Sequence, residues 1–346
     1  MAGITGQGTT FNLPNYVGDL FAQSPMDTPF LSAIGGLSGG ESVTSTLFQW
    51  QGFDLRDAAD DRQRTEGAPA PEGEARVRFN VTNVVEIHQE AVEISYTKLA
   101  ASGQYHTTGS AHPGSVGIAG TNPVTNEAEW QIRQALAQIA RDVEKTFITG
   151  TFNNPATNAS ARRTRGILEA ITTNAVAAGG APLDKDMVLD LLQQVWVSGG
   201  ISQSQTAALM CNGHQKRMLT DLFVTQANYQ ETTRNIGGVA VTTIITDFGT
   251  LNVMLNRYMP TDTIAVVSLE QCAPTFLLVP GKGFLFVEPL ATVGAAQRAQ
   301  IYGEIGLKYG NEMSHGKITG LADGTTTTPA ADATADTVSD TADEEV

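Results

Sequence analysis

Residues 126–150 read NEAEWQIRQALAQIARDVEKTFITG, and the rest of the chain is organised around this stretch. Asn126 with Glu129 three positions on makes a capping-box-like start, and Glu127 and Glu129 suit the positive end of a helix dipole. Ile132, Ala135, Leu136, Ile139, Val143 and Phe147 recur at helical spacing, the pattern of one buried stripe. Gly150 ends the helix. At 1.5 Å per residue these positions span about 35 Å, a long strut against which other segments must pack.

Upstream, residues 41–97 read as a long β-ribbon. The outgoing strand carries Val43, Leu47, Phe48, Trp50 and Phe53, and the return strand alternates through Val77, Phe79, Val81, Val85, Ile87, Val92 and Ile94. Two strands alone are marginal in water, so Phe48, Trp50 and Phe79 must lie against something, either a larger sheet of the same chain or another molecule. The tip, residues 56–74, is rich in charge and in Gly and Pro. It interleaves Asp57, Asp60, Asp61 and Glu66 with Arg56, Arg62 and Arg64 and has no lysine. Such a mix is a solvated loop or a surface for ion pairs between copies, for which the planar arginine fork is suited. Before the ribbon, residues 1–40 read as an arm with scattered apolar residues, among them Phe11, Leu13, Tyr16, Leu20 and Phe21. One short helix is signalled there: Thr28 as cap, Pro29 at the first position, Phe30, Leu31 and Ile34 as the apolar edge, and Gly35-Gly36 as the stop. The arm either folds onto its own body or packs on a neighbour.

Downstream of the long helix, residues 161–171 return the chain to order and residues 184–197 form a second amphipathic helix, with Val188, Leu191, Leu192, Val195 and Trp196 on one side. Short strands follow at 207–211, 239–245, 251–255, 264–269, 276–279, 284–287 and 300–308, with one helix near 214–223. Helices and strands mix without βαβ regularity, which predicts an α+β fold. From Leu321 on, a Thr/Ala/Asp-rich tail reads as disordered.

The chain has 346 residues, 41% of them apolar, which is ample for a core, but only 16% charged. A lone globule carries about 25% charged residues, so the shortfall points to a surface covered by partners. Net charge is −15, with no basic patch of the kind that neutralises phosphates; such a chain can enclose DNA without adhering to it. The acidic tail is expected to face outward or line a pore. Two cysteines, Cys211 and Cys272, are too few for a disulfide framework, and neither a leader nor an 18-residue apolar run is visible. A soluble protein made inside the cell is the expectation.

Chemistry-bearing patterns are sparse. His106, His112, Cys211 and His214 are the metal-site candidates, but their spacing matches no standard zinc finger. His88 reads as a polar residue of the ribbon. Gly281-Lys282-Gly283 lacks the rest of a phosphate-binding loop and reads as a turn between Val279 and Phe284. HExxH does not occur, and Asp184, Asp186 and Asp190 suit a helix start better than a calcium loop. No catalytic residue, cofactor or metal is expected.

The order of arm, long ribbon, long capped helix, mixed domain and short closing strands resembles the major capsid protein of tailed bacteriophages with the Hong Kong 97-type fold. Asp27–Ser32 (DTPFLS) is similar to the end of that family's arm, and residues 126–150 with the return Arg162-Arg163-Thr164-Arg165-Gly166-Ile167-Leu168 are similar to its spine helix. Residues 246–250 (TDFGT) with 251–260 (LNVMLNRYMP), then Ile301-Tyr302-Gly303-Glu304 through 315–321 (HGKITGL), resemble its axial and closing peripheral strands. The likeness runs over roughly residues 15–321.

That resemblance implies an N-terminal arm (1–40), an extended loop (41–97), a peripheral domain (98–180 and 284–320), an axial domain (181–283) and a tail (321–346). It implies pentamers and hexamers closing an icosahedral shell around double-stranded DNA, assembled in the bacterial cytoplasm, with a portal and possible separate scaffolding and decoration proteins as partners, and no membrane. Expected contacts between copies are Phe11, Leu13, Phe30, Leu31, Phe48, Trp50, Phe53, Arg56, Arg62, Arg64, Glu66 and Phe79. The family archetype welds its shell through a lysine of the extended loop. Here the first lysine is Lys98, at the ribbon's base, so a non-covalent shell is expected, with any scaffold a separate protein because the arm begins near Met1. The alternatives are an encapsulin-like compartment of the same fold, or a metal-dependent enzyme.

Overall fold

A computed structural model describes residues 23–56, 58–101, 127–201, 207–226, 232–236 and 239–323. The N-terminal region enters through a short helix, α1 (Pro29–Ala33), with proline in its first turn and Gly35 and Gly36 after it at φ of 127° and 69°, backbone angles that favour glycine. Strand β1 (Glu41–Val43) follows, then β2 (Leu47–Phe53), paired antiparallel with β3 (Arg78–Val84).

The sequence reading of 41–97 as one ribbon is corrected at this point. Only β2 and β3 form the ribbon; the chain then crosses into the body as β4 (Glu86–Ser95), which pairs with β13 (Ala296–Lys308). The physical reason lies in Val84 and Val85. Both are fully buried, and two consecutive buried residues break the two-residue alternation that one ribbon face requires. Val77, expected in the return strand, lies outside it.

Helix α2 (Tyr96–Ala101) leads to residues outside the described set, which include Asn126 and the loop histidines. Helix α3 (Glu127–Thr149) then runs 23 residues, as its apolar spacing predicts. After α4 (Ile167–Ala170) and β5 (Ala175–Ala177) come α5 (Lys185–Val197), β6 (Ala207–Cys211), α6 (Gly213–Gln226), β7 (Thr232–Ile236), β8 (Val239–Thr246), β9 (Gly249–Leu255), β10 (Ile264–Ser268), β11 (Ala273–Leu277), β12 (Leu285–Pro289), β13 and β14 (Gly316–Thr319). The Gly281–Gly283 segment is the predicted turn: the Lys282 and Gly283 amides both donate to the Val279 carbonyl, each at 3.1 Å.

Two sheets carry the α+β body. In the five-stranded sheet β13 is the axis: β4 lies along one edge, while β11 and β12 share the other, and β1 adds parallel to β11. The seven-stranded mixed sheet has the order β5-β14-β10-β6-β9-β8-β7. Its central strand β6 is buried at every residue, as strands covered on both faces are. Ala208 and Met210 face a core with α3 (Ile139, Val143, Phe147), α1 and the five-stranded sheet (Ile301, Ile305). Ala207, Leu209 and Cys211 face a second core with α5 (Val188, Leu191, Leu192, Val195). Trp196, expected in that stripe, is 55% exposed. At 100° per residue it sits about a quarter turn from the stripe's centre, and Val195 fills the buried position.

Candidate functional site

Among the described residues, both cysteines and two histidines, His88 and His315, are buried. Cys211 and Cys272 are free and buried, and burial pushes the Cys211 thiol up to about 12. His106 and His112 lie outside the described residues, and among the described residues no three His, Cys, Asp or Glu side chains group as metal ligands would. His315 is fully buried. Its Nδ1 accepts from the Ser268 amide at 3.1 Å while Nε2 donates to the Tyr309 carbonyl at 2.7 Å, an arrangement that fixes the neutral ring. Burial lowers the pKa of His315 and also that of His88. No described helix is long and apolar enough to cross a membrane.

The ribbon divides into a fixed base and a free end. At the base, Phe48 is buried and stacks on Trp50 with ring centroids 5.9 Å apart. The Trp50 indole N–H donates to the Gly310 carbonyl at 2.7 Å, and its ring meets Tyr309 edge-on at 4.9 Å. Phe48 and Trp50 were expected at contacts between copies. For Phe48 that expectation is corrected, since it is buried on its own body; Trp50 is half-buried there with its N–H satisfied, as a tryptophan at such a position requires.

Phe30 and Leu31 are corrected likewise. They are 0% and 1% exposed in the core beside α3, and a side chain without accessible surface has none to offer a neighbour. Phe11 and Leu13 lie outside the described residues.

At the free end the apolar residues face water. Phe53 is 66% exposed, Leu55 64%, Val77 77% and Phe79 49%. Phe79 lies across the ribbon from Gly52, and a Cβ at Gly52 would come within 2.5 Å of its ring. The absence of a side chain at 52 is therefore what lets the ring lie flat over the strand. Beneath this end a cleft of about 620 Å³ opens between Phe53, Phe79 and Val81 on the ribbon and Tyr309, Met313 and Ala170 on the body.

The tip arginines converge on one carboxylate. Arg56 Nε lies 3.5 Å from Glu74, Arg76 lies 2.9 Å from it, and Arg62 pairs with its other oxygen. The Arg62 and Arg76 hydrogen bonds hold the Glu74 carboxyl down to about 2. Arg56 and Arg62, expected to pair across copies, thus have partners within their own loop. Exposed pairs are individually weak, but three cations on one carboxylate draw the two sides of the tip together. Arg64 and Glu66 are exposed.

Sequence reasoning missed the most connected polar group. Glu144 on α3 is fully buried and accepts hydrogen bonds from the Phe30 amide (2.9 Å), the Leu31 amide (2.6 Å) and the Asn256 side chain. The signal was present: Glu144 follows Val143 and lies four residues after Ala140, on the buried side of the helix, where a carboxylate needs donors. Thr28, read as the α1 cap, makes no side-chain cap bond; Glu144 serves α1 instead.

This architecture is that of shell subunits with the Hong Kong 97-type fold. It matches the cyanophage A-1(L) capsid protein with a TM-score of 0.60 at 11% identity, covering 92% of this chain and 100% of that one. It matches the capsid protein of a native GTA particle with a TM-score of 0.58 at 13% identity, over 93% and 100%. The SrpI encapsulin of Synechococcus elongatus PCC 7942 also matches, with a TM-score of 0.57 at 11% identity, over 90% and 92%. The chain belongs to the SU10 major capsid protein family, whose pattern it matches over residues 3–322. It is 23% identical over 367 residues to the major capsid protein of Escherichia phage Phieco32, covering 90% of this chain and 94% of that one.

Proposed function

We propose that copies of this chain close a non-covalent icosahedral shell of pentamers and hexamers around double-stranded DNA, and that the ribbon's free end is a principal contact between neighbours. One observation carries the reading: Phe53, Leu55, Val77 and Phe79 are exposed at the end of a ribbon whose base is fixed by Phe48 and Trp50. A single chain gains nothing by holding such a group out in water, whereas removing it from water against a neighbour is favourable at about 25 cal/mol per Å².

In this reading Arg64 and Glu66 pair across the contact, and Arg56 and Arg62 add to it from their ion-paired tip. Phe11 and Leu13 bring the arm's share. Residues 98–180 with 284–320 act as the peripheral domain and 181–283 as the axial domain. Partners are further copies, a portal, and separate scaffolding and decoration proteins. The shell forms in the host bacterial cytoplasm and ends in the virion, and the enclosed DNA is held without sequence-specific binding. The encapsulin shares the fold, but the family match is to capsid proteins.

Electron microscopy of the purified full chain tests this. Closed shells, with nuclease-protected DNA in particles taken from infected cells and no ladder of linked subunits on denaturing electrophoresis, are expected. A protein that stays monomeric at high concentration overturns the reading.

A further inference from the structure

Helix α1 has five residues, too few to persist by their own hydrogen bonds. It exists because Phe30 and Leu31 enter the core and because the Glu144 carboxylate accepts hydrogen bonds from both of their amides. The same carboxylate accepts a hydrogen bond from the Asn256 side chain, whose backbone N–H donates to the Cys211 carbonyl at 2.9 Å. Glu144 thus joins the root of the N-terminal region, the long helix α3 and the seven-stranded sheet. Immediately after α1 comes Gly35-Gly36-Leu37-Ser38-Gly39-Gly40. Gly35, Gly36 and Gly40 have positive φ. Gly39 and Gly40 admit no side chain in the docked form, because a Cβ would come within 2.6 Å of the Gly35 carbonyl at the one and 2.3 Å of the Pro274 carbonyl at the other.

We propose that α1 is a releasable latch: Glu144 clamps it to the body, and the glycine segment 35–40 is the hinge on which the N-terminal region swings when the clamp opens. Glu144 is then a positioning residue for assembly, setting the direction in which the arm leaves the body. This extension rests on the reading that the arm makes contacts between copies. A shell of pentamers and hexamers places one sequence in two surroundings, and a hinged arm lets each copy reach its neighbour. The charged and titratable groups around the clamp are few. Asp27 precedes α1 and pairs with Arg257 at 3.0 Å, and Arg141 on α3 bonds the Tyr258 hydroxyl at 3.0 Å. Neither cation is a hydrogen-bond partner of Glu144, so the clamp depends on its three donors. Burial raises the Glu144 pKa, and the Phe30, Leu31 and Asn256 donors oppose that rise.

The test is hydrogen–deuterium exchange of the full chain before assembly, followed by electron microscopy of what it assembles into, for wild type and Glu144→Gln. The amide of glutamine turns a donor toward donors, so at least one charge-assisted bond is lost. Exchange in residues 28–37 is expected to rise about tenfold or more, with α3 and β13 unchanged and shells misshapen or absent. A pH series adds a readout that packing alone would not move. Protection in 28–37, corrected for the intrinsic exchange rate at each pH, should fall in wild type as Glu144 takes up a proton, and in the glutamine variant it should not respond.

Unchanged exchange in 28–37 overturns the latch; loosened exchange with normal shells overturns its role in assembly. If Glu144→Gln fails to fold, Asn256→Ala, which withdraws one donor and leaves the carboxylate, is judged by the same criteria. Wild type that forms no shells refutes the proposed function instead, and the exchange result then stands by itself.

Discussion

Replacing Phe53 with serine separates a contact residue from a structural one. The ring is 66% exposed, so it contributes little to the single chain, and the substitution should change monomer stability by no more than about 0.5 kcal/mol. An aromatic side chain buries about 150–250 Å². Two thirds of that, removed from water at about 25 cal/mol per Å², amounts to roughly 2.5–4 kcal/mol at the contact with a neighbour. Allowing for what serine retains, about 2 kcal/mol should be lost per contact, which raises the concentration needed for assembly by about 25-fold or more. Sedimentation of a dilution series measures that threshold, and urea unfolding of the unassembled chain measures the monomer. Phe48→Ala is the opposite control. Phe48 is buried on its own body, so its loss should cost the monomer about 3–5 kcal/mol. If Phe53→Ser assembles at the wild-type threshold, the ribbon's free end is not a contact, and the physical basis for the shell reading at this site is gone.

Three further outcomes follow from the interior. Trp50→Phe keeps the ring but leaves the Gly310 carbonyl without its donor, and should lower monomer stability by about 0.5–1.5 kcal/mol in urea unfolding; no change would mean that the ribbon's base is held by stacking alone. Cys211 and Cys272, buried and with raised thiol pKa values, should resist a thiol reagent at pH 8 in the folded chain and react in urea, whereas rapid labelling of folded protein would contradict their burial. His315 is held neutral. Above about pH 6.5 it is uncharged both folded and unfolded, and below that the unfolded chain takes a proton that the folded chain refuses, so stability falls as pH falls, by at most about 1.4 kcal/mol per unit. Between pH 7.5 and 5.5 wild type should therefore lose more of its urea midpoint than His315→Gln does. The raised pKa values of Glu144 and Glu86 act in the opposite sense and cancel in the comparison, and equal losses would refute the His315 assignment.

What was legible in the sequence was whatever repeats at a fixed period or ends on a strong signal. The α3 stripe, the Pro29 start and Gly35-Gly36 stop of α1, the all-apolar β6 and the Gly281–Gly283 turn are local patterns, and local sterics decide them. The end of the ribbon at Val84 was not legible. Alternation resumes in β4, and only the choice of partner, β13 in place of β2, tells the two strands apart. That choice is a long-range one between residues more than 200 positions apart. Packing of Phe48 and Trp50 on the body was opaque for the same reason. An aromatic on a ribbon must be covered, but its sequence position does not say by which chain. Glu144 shows a signal that was present and went unread, a carboxylate on the apolar side of a helix.

The division of apolar surface is itself the argument for a subunit. Phe30, Leu31 and Phe48 are buried by the chain's own body and Trp50 is half-buried and hydrogen-bonded there, which fixes the root of the ribbon. Phe53, Leu55, Val77 and Phe79, a few residues further out, are left in water. Had the outer group been covered too, the ribbon would be an ordinary hairpin with nothing to offer; had the inner group been free, the ribbon would have no fixed direction. A rigid root under an uncovered end restricts where a neighbour can sit before it arrives, so less orientational freedom is lost on binding, and preorganisation raises affinity by reducing that cost. A modest patch can then be enough for a contact that a lattice repeats at every subunit.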